Sequence, residues 1–397
     1  MKPGSTNQPV PPSDRGAIIV QTALVLLAML AFAAFAVDYG VLWASRRQAQ
    51  NAADAAALAG AVSFAFDSND TSASGAAYQS AQEIVQAHRV WAQAPAFVLT
   101  LGTGNPPCPA GESGPCIRVD VFRDLAHNNP LPTFFGKLVG VNSQGVRATA
   151  TARAAVANAT DCLGPFSIAD RFIDTNGDGI YNAGDVYTPP SSTSAGTGYN
   201  LNDSIGLDML VKAATNTEDL GPGWFRLLDL VGAGGGGTSE LNEVIRSCTA
   251  DIRGIGDVLT EDTENGQKAG VMQGIGDLID TDPNAIWDPI SKTILNSCAT
   301  TAAPCYRYPV GAKDPIVDDS LAYSPRILAI SMFDPALYAT TGEIKIVNLL
   351  GFFISNMEGP GNKTIHGILV SRPGVVDNTK GGVPGTASFL KTIQIIR

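Results

Sequence analysis

The sequence predicts an α+β protein: one N-terminal transmembrane helix continuing into an Ala-rich helix, a small α+β domain, and a larger β-rich domain with an antiparallel sheet. Three observations carry that expectation. The 22 residues from Gly16 to Val37 hold no charge, and Asp38 to Ala61 continues in helix-forming residues without proline. Period-two runs follow the helix, with IRVDVF at Ile117–Phe122 a clear case. The chain carries 42 glycines and 25 prolines but only 16 % charged residues, which suits a loop-rich, β-rich fold beyond the first helix.

Residues 1–14, with four prolines, read as a disordered leader. Gly16–Val37 is long enough to cross a hydrocarbon core of about 30 Å at about 1.5 Å per residue. A cleaved secretory signal has a shorter apolar region, a small-x-small site and a polar break; the uninterrupted continuation after Asp38 points to a retained anchor. Charge leaves the orientation open, because Lys2 and Arg15 before the span are matched by Arg46 and Arg47 beyond it. The anchor and Ala-rich helix together occupy residues 15–66, with Ala at 49, 52, 53, 55, 56, 57, 59 and 61. Small side chains bury little area each, so this helix needs its own domain or neighbouring helices to pack on. The plainer reading is a stalk that only lifts the rest of the chain.

Residues 67–157 form the expected small α+β domain: a helix over Ala76–Trp91, strands at Phe97–Leu101 and Ile117–Phe122, a short amphipathic helix at Leu131–Gly140 and a long strand at Val146–Val156. Residues 158–397 form the larger domain. Gly- and Pro-rich turns run to about Ala250, and clear strands come only near the end, in PRILAISMF, EIKIVNLLGFFIS, IHGILVS and SFLKTIQII. RGIGDVLTED at Arg253–Asp262 recurs as QGIGDLIDTD at Gln273–Asp282; two copies make no solenoid and read as paired helix or turn segments.

The net charge of −11 argues against a nucleic-acid partner, which calls for a basic stripe to release phosphate counterions. Cys108/Cys116 and Cys298/Cys305 form two close pairs around loops, leaving Cys162 and Cys248 as a third pair; an even count in this pattern suits an oxidising compartment. Six buried thiols are the alternative. With the short N-terminus inside, the bulk of the chain lies outside the cytoplasm.

The sharpest local motif is DTNGDGIYNAGD, Asp174–Asp185. Asp174, Asn176 and Asp178 stand at the first, third and fifth places of a twelve-residue calcium loop, where alternate oxygen ligands wrap a hard cation. Gly179 permits the sharp turn, Ile180 offers its carbonyl, Asn182 reaches the ion directly or through water, and Asp185 closes the loop. Asp185 is shorter than the usual bidentate Glu, and the flanks are not helices, so the expectation is an isolated structural Ca²⁺ loop of about 10⁻⁴–10⁻³ M affinity. An Asn-Gly and Asp-Gly turn pair without metal is the alternative. DTSAS at Asp70–Ser74 has the letters of a metal-dependent adhesion motif but lies in a connecting loop, which rejects it. GAGGGGTSE at Gly232–Glu240 lacks the Lys and Ser/Thr of a phosphate cradle, and scattered histidines with no GxSxG give hydrolase chemistry no signature. The chain therefore reads as non-enzymatic.

Arg15–Gly16 before the apolar helix, AVDYG at Ala36–Gly40 and RRQAQNAADAAALAGA at Arg46–Ala61 together resemble the N-terminal module of TadE/TadG-like proteins of Flp (tight-adherence) pilus assembly. PTFFGKLVGV at Pro132–Val141 and VRATATARA at Val146–Ala154 extend the resemblance over roughly the first 155 residues. It implies a single-pass bacterial inner-membrane protein, N-terminus cytoplasmic and bulk periplasmic, that works with other Tad pilus or secretion components, with self-association through the N-terminal helix. It implies no enzymatic activity. Prepilins cut after a glycine carry Glu at the fifth following position, whereas Gly16 is followed at that place by Gln21, which favours an assembly factor over a polymerising subunit. An anchored extracytoplasmic ligand-binding or adhesion protein that borrows this module is the rival reading. Exposed aromatics on one face of the second domain would favour the rival, and a contiguous apolar strip along the first helix would favour assembly.

Overall fold

The computed structural model describes residues 15–66, 71–112, 114–191, 193–213, 221, 224–230, 242, 244–246, 251–261, 267–290, 292–297, 324–358, 364–382 and 387–396. Arg15–Phe66 is one α-helix of 52 residues, α1. Nothing in its sequence interrupts it, since it lacks proline and its two inner glycines, Gly40 and Gly60, are isolated. The chain groups into two compact units, the first comprising Met1–Ala53, Ile84–Val98 and Asp120–Thr149, the second Asp54–Glu83, Leu99–Val119 and Ala150–Arg397.

The early strands are β1 (Ala96–Gly102), β2 (Cys116–Arg123) and β3 (Val146–Val156), preceded by α2 (Ala76–Ala87). They lie in a five-stranded sheet in the order β1, β2, β3, then the C-terminal strand and the short Arg372–Pro373. That C-terminal strand, Leu390–Ile396, pairs antiparallel with β3 from Lys391↔Val156 to Ile396↔Thr151. The period-two pattern of SFLKTIQII identifies it as a strand but does not say which sheet it joins; its pairing with β3 corrects its expected place beside the other late strands.

The second unit is built on a closed ring. Its strands are β4 (Leu163–Ala169), β5 (Asp208–Ala213), β6 (Trp224–Leu227), β7 (Ile327–Phe333), β8 (Ile344–Glu358) and β9 (Thr364–Val370). The order β8-β7-β4-β6-β5-β9 returns to β8, because the 15-residue β8 pairs with β7 through its first half and with β9 through its second. Four of the six contacts are antiparallel, while β7 with β4 and β5 with β6 are parallel. The sheet is thus mainly antiparallel, and closure removes the two free edges that an open sheet of this size exposes. Alternate residues such as Leu328, Ile330 and Met332 on β7 and Leu350, Phe352 and Ile354 on β8 fill one core with Phe166, Met209 and Phe225. The helix Gln267–Thr281 adds Val271, Ile275 and Leu278 to that core.

Two sequence expectations change here. The copies of the GIGD repeat fold differently: the first gives the short strands Arg253–Gly254 and Val258–Leu259 around Gly256 at φ +94°, while the second lies in the helix Gln267–Thr281. Helical spacing of the buried Val271, Ile275 and Leu278 sets the second copy, and a glycine in the left-handed region sets the first. Leu131–Gly140 is not an amphipathic helix. Only Gly136–Val139 makes a 3₁₀ turn, after the short strand Leu131–Pro132, and Gly140 at φ +87° ends it.

Candidate functional site

Residues Ile18–Val37 of α1 are bare on almost every side, and the most apolar 18-residue window of the helix has mean hydropathy 2.5 and no buried residue. By length and composition this helix can cross a membrane, a statement about one apolar segment near the N-terminus. Past Asp38 its character changes. Val41, Ser45, Ala49, Ala52 and Ala56 follow at spacings of three or four and are buried. The Ala-rich part is therefore core, not a bare stalk. In the second unit Gly60 shows why small residues stand here: an added Cβ would lie 2.5 Å from Ile117 Cδ1 and 3.0 Å from the Ala77 carbonyl. Ser63 and Ser80 share a hydroxyl hydrogen bond of 2.9 Å beside it.

In the first unit α1 is tied by polar side chains. The Asp38 carboxylate accepts the backbone N–H groups of Phe134 at 2.7 Å, Phe135 at 3.1 Å and Gly136 at 2.6 Å. Gln144 Nε2 donates to the Asp38 carbonyl at 3.3 Å, and the Trp91 N–H donates to Gln48 Oε1 at 2.8 Å. Below them the buried Arg123 donates to the carbonyls of Val90, Asn129 and Pro130, and burial lowers its pKa. These contacts fix the helix where it leaves the apolar span. Nothing local in the sequence marks Asp38 for this role, since a carboxylate 96–98 residues from its donors leaves no local signal.

The structure brings Asp174, Asn176, Asp178, Ile180, Asn182 and Asp185 into one loop of the second unit, closed at its base by paired Ile173–Val186 hydrogen bonds. Gly177 and Gly179 take φ of +75° and +74° at the bends. Asp174 accepts the N–H groups of Asn176, Gly177 and Gly179; Asp178 accepts that of Ile180; Asp185 accepts those of Thr175 and Asn182. Asn182 Nδ2 donates to the Ile180 carbonyl and to Asp178 at 3.0 Å each. The carboxylates are thus held by the loop's own amides, and hydrogen bonds from Thr175 and Asn182 keep the Asp185 carboxyl below its ordinary value. The oxygen-rich donor set matches a hard cation. Among the described residues no group of three His, Cys, Asp or Glu side chains stands close enough together to hold a metal ion.

The loop is anchored by a buried carboxylate that the motif did not reveal. Asp170 is fully buried; Oδ1 accepts from the N–H groups of Arg171 and Tyr199, and Oδ2 accepts from the Tyr187 hydroxyl at 3.0 Å. Burial outweighs these bonds and raises its pKa to about 6. Cys108 and Cys116 form a disulfide, and Cys162 is disulfide-bonded too. Cys248, Cys298 and Cys305 lie outside the described residues, as do Asp70 of DTSAS and the Gly232–Glu240 run.

Fold and site together define a class: a chain with one N-terminal helix long and apolar enough to span a membrane, followed in sequence by sheet-rich units, the second of which holds a closed ring of strands. Residues 16–63 match the family model for putative Flp pilus-assembly TadE/G-like proteins. The TadE/TadG-like resemblance read from Arg15–Gly16, AVDYG and the Ala-rich stretch is thereby supported over residues 16–63. No curated protein and no solved structure gives a match.

Proposed function

We propose that this chain is a structural, non-enzymatic component of Flp pilus assembly or secretion, held in the bacterial inner membrane by Gly16–Val37 with its N-terminus in the cytoplasm and its bulk in the periplasm. The observation that carries the reading is the TadE/G-like match over residues 16–63, on a helix whose first part is bare and apolar and whose continuation is buried in the fold. The Cys108–Cys116 bond supports an oxidising compartment. Within the first unit the Asp38 and Gln48 contacts hold the helix to its neighbouring loops where it leaves the apolar span, which suits a structural part anchored at the membrane.

Exposed aromatics separate assembly from the ligand-binding rival. Among the described residues the large exposed aromatics are Phe32, Phe35, Tyr39, Trp43, Phe134 and Phe135, all in the first unit. The partners are other Tad components. In-cell crosslinking of the full chain in its native host tests this: pilus-assembly proteins in the adducts support the reading, and adducts free of them refute it. Phosphatase fused after residue 397 reads the topology, with activity expected in the periplasm.

The Asp174–Asp185 loop is proposed to take a structural Ca²⁺ on Asp174, Asn176, Asp178, the Ile180 carbonyl, Asn182 and Asp185, displacing the amide contacts of the carboxylates. Millimolar Ca²⁺ should then release or absorb heat in calorimetry and raise the melting temperature. A flat titration with an unchanged Tm assigns the loop to its metal-free turns.

A further inference from the structure

We infer that the loop Thr133–Val141 is a second lipid contact, which seats Phe134, Phe135 and Leu138 in the headgroup interface beside the point where α1 leaves the hydrocarbon. The inference rests on the reading of Gly16–Val37 as a membrane span. Asp38 is the first charged residue after that span, and its carboxylate holds three successive N–H groups of the loop. The loop backbone therefore sits within hydrogen-bond reach of the end of the span, whatever the tilt of the helix. Its large apolar side chains are exposed: Phe134, although edge-on to Trp91, Phe135 and Val141 are about half exposed, and Leu138 is 83 % exposed. A loop made for water would not leave these together.

The loop also has the stiffness and the neighbours that an interfacial anchor needs. The Leu138, Gly140 and Val141 N–H groups donate to Phe135, Lys137 and Gly136 carbonyls, and Thr133 Oγ1 donates to the Val141 carbonyl at 2.6 Å. Backbone polar groups so satisfied are cheap to bring near lipid. Tyr39 and Trp43, exposed on the next turns of α1, are the amphipathic rings that favour headgroup depth, and the exposed Lys137 matches anionic phospholipid. Continuity with the span, more than apolarity alone, selects lipid over a protein partner.

The test places a photoreactive benzoylphenylalanine at Leu138, and separately at Leu27 in the span, in the full chain reconstituted into phosphatidylethanolamine–phosphatidylglycerol vesicles. Mass spectrometry then reads lipid adducts. Adducts at both positions are expected, with the yield at Leu138 falling several-fold in an Asp38→Ala background while that at Leu27 holds. Adducts at Leu27 without any at Leu138 would overturn the inference and leave the loop's apolar side chains to a protein partner. Absence at both positions would overturn it together with the anchoring reading.

Discussion

Asp170→Asn should remove a specific pH dependence of stability. The carboxyl moves from an ordinary value of 3.8 to about 6 in the fold, chiefly through burial, so native protein binds this proton more tightly than the unfolded chain does. Its favourable contribution is full below about pH 3.8 and is lost as pH rises through about 6. At about 1.4 kcal/mol per pH unit, the loss amounts to about 3 kcal/mol. Asparagine keeps the shape: its carbonyl can accept from Arg171 and Tyr199, and its amide can donate to the Tyr187 hydroxyl, which turns to accept. Urea unfolding of both full-length proteins in one detergent, from pH 3.5 to 7.5, gives the difference between them, in which all other titrating groups cancel. We predict that the variant gains about 3 kcal/mol on wild type across that range. Parallel stability curves would refute the assignment of Asp170 as a buried, ionising carboxyl.

The other predictions concern contacts that hold each element in place. Arg326 is buried and donates to the carbonyls of Asp282, Ala285, Ile354 and Ser355, so Arg326→Leu should cost about 3–5 kcal/mol in urea unfolding; a loss under about 1 kcal/mol would contradict the count of orphaned acceptors. Gly60→Val should cost about 1–3 kcal/mol or more, because Ile117 and the Ala77 carbonyl leave no room, and an unchanged midpoint would mean that the helix can move aside. Replacing Cys108 and Cys116 by Ser together opens a loop with a sequence separation of 8 and should cost about 2.5 kcal/mol by loop entropy, read as a lower melting temperature under non-reducing conditions.

The sequence was most legible where one physical demand ruled. α1 ends at Phe66 as read, and Val146–Val156 is a strand to the residue, because uninterrupted helix formers and strict alternation leave little competition. Three ring strands escaped notice. β4 reads LGPFSIA, with Gly and Pro where a strand pattern is sought, and Gly164 is there because an added Cβ would sit 3.1 Å from the Ala329 carbonyl. β5 and β6 are short, and their parallel pairing is a property of the ring rather than of either segment. Local competition explains Leu131–Gly140 as well: its apolar spacing suggests a helix, but Asp38 takes the N–H groups of residues 134–136. The Asp174–Asp185 loop was legible because its donors are two residues apart. Asp170, whose partners Tyr187 and Tyr199 arrive from later turns, was not.

The most direct test of the assembly reading is deletion of this gene in its native host, with surface pili counted by electron microscopy and the full chain supplied again in trans. The account predicts loss of pili and their return with the intact protein. Unchanged pili in the deletion strain would contradict it and transfer the chain to the anchored ligand-binding reading.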